Sequence, residues 1–131
     1  MHCASQFTWD LLRGAGVKIR HMHLGDPQVD KLMSENPTVV PIRHPDLVAT
    51  SWASRKMDLD VLSRQWDQMV LFTDVIFLPV DSPKYREDQL HKIEDLAGVK
   101  LITSWRPSHA MPLNRIAATF KNCDSFRTSW W

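Results

Sequence analysis

Two short apolar runs, "TVVPI" at residues 38–42 and "VIFLPV" at residues 75–80, most constrain what this chain can fold into. Continuous apolar runs of this length read as buried strands. Each leads into a stretch with helical character. "PDLVATSWASRK" opens on Pro45, which suits a first helical turn, and Asp46 sits near the positive end of the helix dipole. "REDQLHKIEDLAG" sets Leu90, Ile93 and Ala97 on one face and stops at Gly98. Strands that alternate with helices predict an α/β fold, a mainly parallel sheet with helices on both faces in three layers. Pro41 is the awkward residue, because proline removes a ladder donor; the reading places it at a strand end.

The other segments fit the same plan. "SQFTWDLLRGAG" predicts a short helix from Phe7 to Arg13, with Leu11 and Leu12 inward and a glycine stop. "VKIRHMH" alternates and predicts a strand from Val17 to Met22. A short helix through Val29, Leu32 and Met33 follows. "DLDVLSRQWDQMVLFTD" places Leu59, Leu62, Trp66, Met69 and Val70 on one helical stripe. "VKLITSW" reads as a last strand or arm, and "PLNRIAATF" as a C-terminal helix. With no repeat or long linker, the 131 residues are expected to form a single domain.

Composition narrows the partners. Sixteen basic and 15 acidic residues leave a net charge of +1, which argues against a broad nucleic-acid surface but leaves room for a focused anion site. No apolar run approaches a membrane span and no signal-peptide pattern opens the chain. A cytoplasmic location is therefore expected, where Cys3 and Cys123 would be free thiols; a disulfide between them is the alternative. Trp130 and Trp131 end the chain, where they could dock on a partner or a second copy.

Arg43 marks the end of the first apolar run. A helix that starts there offers unpaired N–H groups, and a guanidinium beside them suits a phosphate. The competing reading is a salt bridge to a carboxylate such as Asp46. Arg43-His44-Pro45, with Ser51-Trp52 beginning eight residues after the arginine, resembles the 3′-phosphate-binding segment of the sulfotransferases that use 3′-phosphoadenosine-5′-phosphosulfate (PAPS). The resemblance implies a P-loop-like sheet in which Arg43 and Ser51 hold the nucleotide 3′-phosphate. Ala4-Ser5-Gln6-Phe7-Thr8-Trp9 is similar to that family's 5′-phosphosulfate loop, roughly Lys-Ser-Gly-Thr-Thr-Trp. Ser5, Thr8 and Trp9 match, whereas Ala4 replaces the lysine and Gln6 the glycine. The strand expected to lead into the loop is missing or reduced to Met1–Cys3: either the chain is truncated there, or another segment or subunit supplies it. Read without the family, Ser5 is an ordinary helix N-cap.

The same resemblance assigns a base. The family carries a histidine at a strand end upstream of the arginine, and His21 precedes Arg43 by 22 residues. His23 is two residues on and would face the same side. An imidazole suits removal of the acceptor proton. The two histidines could also chelate a metal, but no third ligand is evident, so no metal is expected. "TFKNCDSF" is similar to the family's late nucleotide loop, with Lys121 or Arg127 near the 3′-phosphate. The expected function is sulfuryl transfer from PAPS to a hydroxyl or amine acceptor, small molecule or glycan, with release of 3′-phosphoadenosine-5′-phosphate (PAP). The alternative is a non-catalytic interaction or assembly module of the same fold with a vestigial nucleotide site. A P-loop kinase lacks its Gly-x-x-x-x-Gly-Lys-Ser/Thr motif here.

Overall fold

The computed structural model describes residues 5–101. The expected C-terminal helix, the late loop with Lys121 and Arg127, both cysteines, Ala4 and the terminal tryptophans lie outside these residues. The described chain is mixed α/β, with five helices and a two-stranded parallel sheet. In chain order the elements are α1 (Ser5–Gly14), α2 (Val29–Glu35), β1 (Val39–Ile42), α3 (Pro45–Ser54), α4 (Leu59–Val70), β2 (Ile76–Pro79) and α5 (Pro83–Ala97). Among the described residues no helix is long and apolar enough to cross a membrane.

Alternation along the strands divides the core in two. Val40, Ile42 and Phe77 join one cluster with Val48 and Trp52 of α3 and Leu62, Trp66 and Met69 of α4. Val39, Ile76, Leu78 and Val80 join the other, with Leu12 of α1 and Leu90 and Ile93 of α5. Helices therefore flank both faces of the sheet. Of the predicted α4 stripe, Leu62, Trp66 and Met69 are at most 2 % exposed and Leu59 is half-buried. On α5 Leu90 and Ile93 are buried but Ala97, expected on the same face, is exposed.

The helix ends follow local chemistry. Asp58 caps α4 by accepting from the Asp60 N–H at 2.8 Å. Ser82 caps α5, and Pro83 sits in the first turn, where a missing N–H costs nothing. Gly98 ends α5 at φ 67°, a left-handed conformation that favours glycine, and its N–H bonds the Glu94 carbonyl.

Register explains the two strand prolines. Val39 pairs with Ile76 and Ile42 with Pro79. Ile76 N–H donates to the Thr38 carbonyl and Val80 N–H to the Ile42 carbonyl. Backbone groups of Thr38, Val40 and Ile42 thus point at β2, and those of Val39 and Pro41 point away. The absent N–H of Pro41 falls on the outer edge of β1, so no ladder bond is lost. Pro79 does the same on the outer edge of β2. Two further contacts close that edge: the Gln89 amide donates to the Phe77 carbonyl at 2.7 Å, and Ser82 N–H donates to the Pro79 carbonyl at 3.0 Å.

The expected strand from Val17 to Met22 is corrected. This segment has no regular secondary structure. It keeps the alternation, with Val17 and Ile19 half-buried against the α1/α5 cluster and Lys18 and Arg20 exposed. Val17 N–H bonds the Leu12 carbonyl at the end of α1, and among the described residues the sheet pairs β1 with β2.

Candidate functional site

Two polar features stand out, at opposite ends of β1. The first is the junction that follows Ile42. Arg43 Nε donates to Asp81 Oδ2 at 3.1 Å and Arg43 Nη2 to Asp81 Oδ1 at 3.0 Å. His44 N–H, at the start of α3, donates to Asp81 Oδ2 at 2.9 Å. The carboxylate thus receives three N–H groups, as a phosphate oxygen pair would at a helix start. The Arg43 and Asp81 side chains are 21 % and 14 % exposed.

The expected salt bridge from Arg43 to a carboxylate is present, with Asp81 as the partner. The parallel register is the cause: Ile42 lies opposite Pro79, so Arg43 emerges beside the chain that continues into Asp81. The signal was legible, since "LPVD" places an acid directly after the second apolar run. Ser51 lies further along α3, six residues past Pro45 and about 9 Å down the helix. It is half-buried, and its carbonyl accepts the Ser54 hydroxyl at 2.8 Å.

The second feature is a cleft of about 730 Å³, lined by Thr8, Trp9, His21, His23 and residues 38–41, among others. Its wall also takes in Met69 in the last turn of α4, Phe72 just beyond that helix, and Ile93 and Leu96 near the end of α5. Both helices reach the amino end of the sheet at those residues, because α4 leads into β2 and α5 runs back from it. The cleft therefore lies at the amino end of the strands and along the edge of β1 that faces away from β2. Trp9 and His21 have ring centroids 6.3 Å apart, and His21 and His23 are 4.9 Å apart. The Arg13 guanidinium sits 5.2 Å from the Trp9 ring centroid, within cation–π range. Asp26 Oδ2 accepts from His23 N–H at 2.8 Å and holds the following turn.

The seven expected site residues are thus divided. Thr8, Trp9, His21 and His23 share the cleft, Arg43 sits at the other end of the strands, and Ser51 lies further along α3. Ser5 opens α1. Gln6 lies within that helix, with its amide bonded to Asp10 at 3.0 Å. Thr8 is 5 % exposed. Among the described residues no group of three or more His, Cys, Asp or Glu is placed to hold a metal ion.

One carboxylate, on α5, is perturbed. The Leu101 N–H donates to Glu94 Oε2 at 2.8 Å, and His91 Nδ1 lies 2.8 Å from Glu94 Oε1. The Leu101 bond first, and then His91, hold the Glu94 carboxyl below its ordinary 4.5. The pair ties the chain after Gly98 back onto α5.

No protein-family profile, no curated protein and no solved structure matches the chain.

Proposed function

We propose that this chain is a sulfotransferase-like α/β domain of the non-catalytic kind, an interaction or assembly module whose strand–helix junction serves as an internal clasp. The three-layer, P-loop-like sheet of that family is part of the proposal. The observation that carries it is the Arg43–Asp81 pair. The guanidinium and the His44 N–H that would meet a 3′-phosphate are engaged by a carboxylate of the neighbouring strand. A phosphate placed there would meet the Asp81 charge at contact distance, which is strongly unfavourable in a partly buried site. Two further observations agree. Thr8 is buried, and the histidines lie at the other end of β1 from Arg43. The residues as arranged therefore do not fit PAPS, and no transfer step is derived through it. The test is PAPS consumption by the full chain with phenol and alkylamine acceptors, followed as PAP release. We expect release no faster than without protein. Release that requires Arg43 would overturn the reading.

A second reading keeps the nucleotide: an active PAPS-dependent sulfotransferase in which Asp81 gives up Arg43 when the 3′-phosphate arrives. The remaining exposure of Arg43, and Ser51 on the helix that starts beside it, favour this reading. It predicts that Asp81→Asn tightens PAP binding, by relieving the competition.

A further inference from the structure

We propose that the cleft beside Trp9 binds a small amphiphilic anion, an apolar chain or ring ending in a carboxylate. This inference stands independently of the nucleotide readings, since it concerns the opposite end of the strands. At about 730 Å³ the cleft falls in the range of roughly 300–1,000 Å³ usual for small-molecule sites. Its interior is apolar. Val29 and Ile93 are buried at its floor, Leu32 and Phe72 are half-buried on its walls, and Leu96, 54 % exposed, stands at its rim. Lys18 and Arg20 are the charged side chains of its lining, both exposed, with His21 and His23 exposed beside them, and none of the described lining residues is acidic. An apolar floor under a cationic lip is complementary to a ligand with an apolar body and an anionic head.

The backbone supports this occupant over an added strand. The outer edge of β1 turns Val39 N–H toward the cleft, a donor that can meet a carboxylate. Two residues on, where an incoming strand needs the next donor, Pro41 has none. The edge is therefore a poor template for strand addition but can still contribute one hydrogen bond to a small ligand. Each exposed charge adds little by itself. Several of them acting on one head group are expected to discriminate a carboxylate from the matching alcohol by about tenfold.

The experiment is calorimetric titration of the full chain with decanoate and with 1-decanol, both kept below aggregation, with light scattering on the same samples. We expect saturable 1:1 binding of decanoate, about tenfold tighter than decanol. The double variant Lys18→Gln, Arg20→Gln should bring decanoate down to the decanol level and leave decanol unchanged. Both substitutions are at exposed positions, and circular dichroism checks the fold. Leu32→Trp, which fills the cleft, should weaken both ligands. Equal affinity for acid and alcohol, or decanoate binding unaffected by the double variant, would overturn the proposal. So would absence of saturable binding, including a stable dimer that excludes both ligands because a second copy fills the cleft.

Discussion

Arg43 and Asp81 carry the central structural statement at the scale of single residues. Their two-pronged contact is partly buried, so it sits between an exposed pair, worth little, and a buried one, costly to break. A double-mutant cycle with Arg43→Ala and Asp81→Ala should give a coupling of about 1–2 kcal/mol in chemical denaturation. A coupling near zero would mean that the clasp contributes no stability. Glu94 gives a pH-dependent prediction. Its carboxyl is held below its ordinary value by the Leu101 N–H and His91, so the folded state binds the charged form preferentially. That stability is fully present above 4.5, the ordinary value, and is lost as pH falls through the lowered folded value. Glu94→Gln should therefore lower Tm at pH 7, with the gap to the parent closing in acid. A gap independent of pH would contradict the assignment.

Most elements were legible in the sequence because each depends on a local signal. The α4 stripe follows from its period, α5 from its apolar face and Gly98, although it starts at Pro83 rather than Arg86, and the two strands from unbroken apolar runs. The failure at Val17–Met22 is instructive. Alternation records which side chains are buried, and it was right about Val17 and Ile19. It does not record whether a neighbouring backbone supplies a ladder, and that depends on distant parts of the chain. Pro41 shows the reverse case: it looked disruptive until register put its missing donor on an outer edge. Local pattern does not show Asp81 as the partner of Arg43, because parallel pairing brings together residues 38 positions apart. Gln89 closes the β2 edge from α5, another contact invisible to local pattern. Gln89→Ala should cost about 1 kcal/mol, read from denaturant midpoints, by uncapping the Phe77 carbonyl. An unchanged midpoint would show that water replaces the amide without loss.

At the scale of the molecule, the β1–α3 junction and the Trp9 cleft are separate sites on one small sheet. The family resemblance placed Thr8, Trp9, His21, Arg43 and Ser51 around one nucleotide. The fold instead groups the first three at the amino end of the strands and sets Arg43 against Asp81 at the carboxyl end. Sequence order alone does not contain that separation, because it arises from how α1 and residues 17–23 pack beside β1. The most direct test is a titration of the full chain with PAP and with AMP, which differ in the 3′-phosphate alone. If Arg43 is committed to Asp81, the two nucleotides should bind equally weakly or not at all, and Arg43→Ala should change neither. PAP binding at least about tenfold tighter than AMP, lost in Arg43→Ala, would contradict the clasp and restore the nucleotide site.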